Sequence, residues 1–315
     1  MQLIPLTDFN SQLSQNALQF LVKNEEKCVS LMSRFLLWDA EFFCVIDNSN
    51  RISGVISFSK GGQLLHCLYI PQNPQEKSEL SSLLAEFFTA SQFKKLFSII
   101  GLAEGVDFIS KIAGKTLGIS PRHENSYDLL IWKKPSQNFQ NSEAIQATLE
   151  DFEQIFPLQK EYELEEVVIN KKDFNEQASR IQLRKKIQNG QVYFLKNDSA
   201  LIEPSRNHRT ETDSMEVSRA STTAQNRSST TADSIVSKLS INAEGKNFIQ
   251  IGGMFTRTEF RNRGFGEKLL LPVCKKYSEN GKKIVLFVKK DNPSAQRLYE
   301  KSGFQKIYDY KILYY

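Results

Sequence analysis

The hexapeptide Arg261-Asn262-Arg263-Gly264-Phe265-Gly266 sets two arginines and two glycines between an apolar run and a helical pattern. The run is Phe248 to Phe255, and the pattern places Leu269, Leu270, Val273, Cys274 and Tyr277 on one face. A strand, a glycine turn and a helix N-terminus in that order leave backbone N–H groups unpaired and pointing one way, with the helix dipole behind them. That is the chemistry of an anion site, and it suits a pyrophosphate. Gly252-Gly253 falls inside the preceding strand, where glycine marks a bulge or a close approach by a ligand.

A short apolar strand follows, Ile284 to Val288, and then the segment from Asn292 to Phe304, which has the frame N-x-x-A-x-x-L-Y-x-x-x-G-F. Asn292 and Pro293 suit the cap and first position of a helix, and Gly303 suits its end. The loop and this frame together resemble the signature of the GNAT superfamily of N-acetyltransferases. The resemblance runs in detail over the last third of the chain and more loosely over its C-terminal half. It implies acetyl-CoA as co-substrate and direct transfer of the acetyl group to an amine acceptor, a small molecule or a peptide. It further implies that Arg261, Asn262, Arg263, Gly264, Phe265, Gly266 and Glu267 hold the pyrophosphate. Pantetheine would lie along the backbone of Met254, Phe255 and Thr256, with Asn292 and Ala295 beside it, and Tyr299 would be the general acid that protonates the leaving thiolate.

The general base stays open. Many members carry a glutamate on the strand after the phosphate-loop helix, and Val285 to Val288 has none. Glu259, Glu163, Glu165 and Glu166 are possible substitutes. Arg261, Arg263, Lys289 and Lys290 could meet the outer phosphates, although solvated surface charge is the default for the two lysines. A non-catalytic acyl-CoA-binding or interaction module is the alternative to an enzyme, and acetylation of peptide N-termini is a third possibility.

The composition narrows the setting. The 315 residues carry a net charge of +5, with 40% hydrophobic and 24% charged residues. That is ordinary globular protein, long enough for two domains. No nucleic-acid motif stands out, and no stretch is apolar and long enough to span a bilayer. The start of the chain lacks the marks of an export signal, so a cytoplasmic protein is expected. Cys28, Cys44, Cys67 and Cys274 are far apart without C-x-x-C spacing, and His66, His123 and His208 are not clustered. No metal site is expected, and buried free thiols are the natural reading.

The elements that position the motif appear twice. In the N-terminal half, helical spacing around Leu13 to Leu21 and Cys28 to Leu36 precedes strands at Glu41 to Ile46, Ile52 to Phe58 and Leu64 to Ile70. A helix at Glu79 to Ser91, a strand at Leu96 to Ile100, a helix at Val106 to Ile112 and a strand at Tyr127 to Trp132 complete it. The same α-α-β-β-β-α-β-α-β order is read in the C-terminal half. The expected fold is therefore α/β (α+β), two GNAT-like domains, each a mixed and mainly antiparallel sheet flanked by helices. An unrelated α+β domain is the runner-up for the first half.

Residues 1–134 form a degenerate copy in this reading. Pro71-Gln72-Asn73-Pro74-Gln75-Glu76 stands where the phosphate loop would be, without glycine, so one active site per chain is expected. Residues 135–141 are the linker, and 142–315 the catalytic domain. Within that domain, residues 205–234 contain no Leu, Ile, Phe, Tyr or Trp and read as a disordered insertion.

Overall fold

The computed structural model describes residues 1–90, 95–133, 144–197 and 235–315. The linker expected at 135–141 and the insertion expected at 205–234 lie outside the described residues. In the first half the order is β1 (Gln2–Leu6), α1 (Gln12–Lys23), α2 (Val29–Leu37), β2 (Glu41–Ile46), β3 (Ile52–Phe58), β4 (Gln63–Leu68), α3 (Pro74–Thr89), β5 (Ser98–Leu102), α4 (Ala103–Leu117) and β6 (His123–Trp132). The second half repeats it with β7 (Ile145–Gln146), α5 (Phe152–Tyr162), α6 (Glu176–Gln188), β8 (Val192–Lys196), β9 (Ile235–Glu244), β10 (Phe248–Thr256), α7 (Phe265–Glu279), β11 (Lys283–Lys289), α8 (Pro293–Lys301) and β12 (Phe304–Tyr314).

β1 is not among the strands expected in the first half. It is short and carries Pro5, which lacks an N–H and is tolerated because β1 is an edge strand. α3 starts at Pro74, five residues before the helical periodicity suggests, because Asn73 caps it. The Asn73 side chain accepts the N–H groups of Gln75 and Glu76.

The strands make one twelve-stranded sheet in the order β1-β2-β3-β4-β5-β12-β6-β11-β10-β9-β8-β7. All pairs are antiparallel except β4 with β5 and β10 with β11. Each half gives its last strand to the other. β6 lies against β11, with Leu286 opposite Leu130, and β12 lies against β5, with Ile312 opposite Ile100. The two exchanged strands also pair with each other, from Phe304 opposite Trp132 to Tyr314 opposite His123.

Helices cover both faces of the sheet, and strands such as β2, β8 and β11 are accordingly buried over most of their length and read as apolar runs. Phe43, Val45, Ile56 and Ile99 pack under α3 and α4, and Phe42, Cys44 and Val55 pack under α1 and α2. In the second half, Ile249, Ile251, Ile284 and Leu286 meet α7. A further cluster, Val29, Leu129, Ile131, Ala243, Phe248, Val285 and Tyr310, draws on both halves and closes the junction. Each large side chain so buried contributes roughly 1.5–3 kcal/mol.

Candidate active site

β10 and β11 start as parallel neighbours, from Phe248 opposite Lys283 to Ile251 opposite Leu286. Beyond that point β10 has no partner on its β11 side, and a wedge opens. On its other side β10 loses register with β9 between Gly252 and Phe255, which makes the bulge expected at the paired glycines. Gly253 takes φ +58°, a left-handed conformation that a side chain would strain. The wedge leads into a cavity of about 610 Å³ whose lining includes Gly253, Met254, Asn292, Ala295 and Tyr299.

Just past the C-terminal end of β10, Arg261 is held by its own neighbours. Its Nε donates to the Thr256 carbonyl at 3.0 Å, one terminal nitrogen donates to Glu165 at 2.8 Å, and the guanidinium lies 5.1 Å from the Phe255 ring centre. Asn262 at φ +61° and Gly264 at φ +80° turn the chain into α7. No side chain caps this helix, so its first-turn N–H groups have no partner from a cap. Phe265 and Arg263 both pack on Phe260. Gly266 lies so close to Leu298 and Met254 that an added Cβ would stand 3.0 Å from each. Glu267 pairs with Lys301 at 2.7 Å. Residues 261–267 and Phe255 and Thr256 do not line the cavity; they form the turn and helix end beside it.

Asn292 has two tasks. Its Oδ1 accepts the Ala295 N–H at 3.0 Å and so starts α8, while its Nδ2 donates to Glu166 at 3.3 Å. Tyr299, the one buried residue of that helix, directs its hydroxyl to the Met254 sulfur at 3.8 Å. Burial pushes the Tyr299 hydroxyl well above its ordinary pKa, and the nearby Glu166 carboxylate adds to the effect. The phenol is thus held in its protonated form.

Of the four glutamates named from the sequence as bases, Glu166 alone lines the cavity. α5 ends in a single π turn, Glu163–Val167, and the wider turn sends these carboxylates in different directions. Glu165 meets Arg261, and Glu163 accepts from Gln159 and Ser179. Glu166 faces the cleft, 3.3 Å from Lys289. Lys290 pairs with Asp309 on the opposite side of β11's end.

Two further residues had no signal in the reading of motifs. Tyr162 lines the cavity, and its hydroxyl is raised by burial and by Glu166, while the Gly253 N–H facing it works the other way. Lys238 is fully buried on β9. Its Nζ donates to the Gly253 carbonyl at 2.8 Å and to Gln159 at 2.5 Å, and stands 4.6 Å from the Tyr162 ring centre. Burial, with the Lys186 ammonium nearby, lowers the Lys238 pKa to about 7. A lysine amid buried strand residues was the available signal, but its partner could not be read from it.

The corresponding place in the first half is a smaller cavity, of about 330 Å³, whose lining includes His66, Tyr69, Leu102 and Glu104. β4 and β5 pair from Gln63 opposite Ser98 to Leu65 opposite Ile100 and then diverge as β10 and β11 do. The His66 ring narrows the gap: a Cβ on Gly101 or Gly105 would lie 2.2 Å from it. Asn73 and Pro74 occupy the start of α3, so this helix keeps no free N-terminus for an anion.

Comparison with known proteins agrees with this geometry. A family model described as FR47-like protein matches residues 235–313. A GNAT-family acetyltransferase from Colwellia psychrerythraea superposes with TM-score 0.57 at 12% identity, over 100% of both chains. A tandem GNAT protein from the clavulanic acid biosynthesis pathway gives 0.54 at 9% identity, over 99% of this chain and 97% of that one. This chain has the tandem GNAT fold. A GCN5-related N-acetyltransferase from Sphaerobacter thermophilus also shares the GNAT fold, with TM-score 0.53 at 12% identity over 87% of this chain and 80% of that one. No curated protein matches the sequence. Among the described residues no group of His, Cys, Asp or Glu could hold a metal ion, and no helix is long and apolar enough to cross a membrane.

Proposed function

We propose that this chain is an N-acetyltransferase that passes the acetyl group of acetyl-CoA directly to an amine, at one site in its C-terminal half. The observation that carries the reading is the wedge between β10 and β11, which places a protonated phenol, Tyr299, and a carboxylate, Glu166, in one cavity. The residues fit the co-substrate. An uncapped helix N-terminus behind Gly264 suits a pyrophosphate, and the one-sided stretch of β10 offers backbone groups to an extended amide chain. The thioester supplies an activated acyl group and a thiol leaving group.

The roles of the chain's own residues follow from what the transfer requires. A bond forms between the amine nitrogen and the acyl carbon as the C–S bond breaks. Glu166 takes a proton from the amine, which as a simple alkylammonium has a pKa near 10.4 and must be neutral to attack. With the Gly253 N–H facing Tyr162, the Met254 N–H at the bulge serves the oxygen of the acyl group, an effect typically worth about 3 kcal/mol per donor. The nitrogen gives up two protons: Glu166 passes the first to solvent and takes the second from the tetrahedral intermediate, Tyr299 protonates the departing sulfur and is reprotonated by Glu166, so that amide, thiol and one proton leave. Lys238 holds the Gly253 carbonyl and thereby the bulge.

Four buried free cysteines and the use of a metabolic thioester support a cytoplasmic setting. Calorimetry with acetyl-CoA, followed by thiol release with a panel of amines, aminoacyl compounds and peptides, tests the proposal. Saturable binding and thiol release with a subset of acceptors is expected. Binding with persistent absence of thiol release would instead favour a non-catalytic acyl-CoA-binding module.

A further inference from the structure

The cavity that holds Tyr299 and Glu166 does not end in the C-terminal half. Its far wall is one face of α2, where Ser30, Ser33 and Arg34 follow each other at helical spacing, with Gln63 of β4 beneath. Arg34 is four-fifths buried, with its side chain 20% exposed. Its Nη2 donates to Gln63 at 3.2 Å, and its Nε stands 3.7 Å from Asp39, a carboxylate 54% exposed to solvent. Its Nη1 is buried without a partner. Ser30 donates to the Oε1 of Gln250 at 2.7 Å, which leaves the NH₂ of that amide as a donor in the same wall.

We propose that this wall binds a carboxylate of the acceptor, so that the substrate is an amine that also carries an acid group. The donor set fits the charge and shape. A guanidinium with an unused nitrogen, a hydroxyl and an amide offer directed N–H and O–H bonds to a planar monoanion. Asp39 offsets part of the Arg34 charge, which disfavours a dianionic phosphate. The amine end would lie at Glu166, on the opposite half of the chain. The first half, with its own wedge narrowed by His66, thus contributes substrate recognition in place of chemistry.

The identity of the amine end rests on the acetyl-transfer reading, whereas the acid site is a statement about binding and is tested as such. The full chain, saturated with coenzyme A, is titrated by calorimetry with glycine, β-alanine, 4-aminobutyrate, 6-aminohexanoate and Gly-Gly, and with the amide of each. At least one acid should bind tenfold or more tightly than its amide, and the free amino acids and the dipeptide distinguish a small acceptor from a peptide end. Arg34→Met should abolish the preference while acetyl-CoA binding is unchanged. Ser33→Asp, which puts a like charge in the wall without removing the Arg34 contacts, should do the same if the methionine variant does not fold. Equal binding of acids and amides, binding of neither, or a preference that survives in a folded variant would overturn the proposal. Failure of acetyl transfer alone would appear differently, as acid binding without thiol release.

Discussion

Glu25, in a short turn of the first half, accepts the backbone N–H of Asn247 at 2.9 Å, although 222 residues separate them. The same carboxylate accepts the N–H of Phe248 at 3.1 Å and the Asn247 side-chain amide at 3.0 Å, and it is almost completely buried. It caps the turn between β9 and β10, the strand pair that carries the bulge. Gly245 lies so close that an added Cβ would stand 2.1 Å from the carboxylate oxygen.

Glu25→Ala leaves these buried donors without an acceptor and should lower the unfolding free energy by about 3 kcal/mol. Urea denaturation measures it. A loss below about 0.5 kcal/mol would mean that water replaces the carboxylate without penalty.

At Gly264 space is not the constraint, since nothing lies within 4 Å of an added Cβ, but φ is +80°. Gly264→Ala should therefore cost about 1 kcal/mol of stability and bind acetyl-CoA nearly as well. Gly264→Glu brings a negative charge to the uncapped end of α7 and should abolish binding in calorimetry. Unchanged affinity in the glutamate variant would remove this loop from the site.

Tyr299→Phe preserves the ring that packs on Phe304 and removes only the hydroxyl. Acetyl-CoA affinity should hold while kcat with a cognate amine falls about 100-fold. Equal turnover would take the phenol out of the mechanism.

Lys238→Met fills a similar volume but leaves the Gly253 carbonyl without its ammonium donor. Turnover should drop more than acetyl-CoA affinity, because the bulge acts on the acyl oxygen. The pH dependence of stability gives a second readout. With a folded pKa of about 7 against 10.5, the unfolded chain binds a proton that the folded chain does not, so Lys238 makes stability rise between those values. The methionine variant should lack that rise in denaturation midpoints compared from pH 7 to 10.

His66 gives an acid counterpart. Burial lowers its pKa from 6.5 to about 4, and both ring nitrogens lack partners. Below pH 6.5 the unfolded chain takes up a proton that the folded chain refuses, so stability should fall by on the order of 3 kcal/mol as pH drops to about 4. His66→Met should flatten this limb of the profile, and a slope that persists unchanged would assign the acid sensitivity to other groups.

The order of elements was legible because strands such as Glu41–Ile46 are bounded by turn residues, and because helices such as α8 announce their start with Asn292-Pro293. The fold implied by the glycine loop and the Asn292 frame is the one observed. What local pattern could not convey was pairing across long separations. The apolar end of β6, Leu129 to Trp132, states that it is a buried strand and the mixed sequence of β12 states less, and neither says which half it joins. The choice among four glutamates was equally hidden, since a π turn breaks the spacing from which a helical face is read. Arg34 and Lys238 become notable only through burial, which their neighbours in sequence do not reveal.

The exchange of β6 and β12 bears on how the molecule is made. While the chain emerges from the ribosome, β5 has only β4 beside it until residues 304–314 have been synthesised, and both edges of β6 wait, one for β11 and the other for β12. An unpaired, apolar strand edge is a template for joining other chains. The nascent first half is therefore the aggregation-prone stage of this protein's life, and shielding by a chaperone matters most before its final strand arrives.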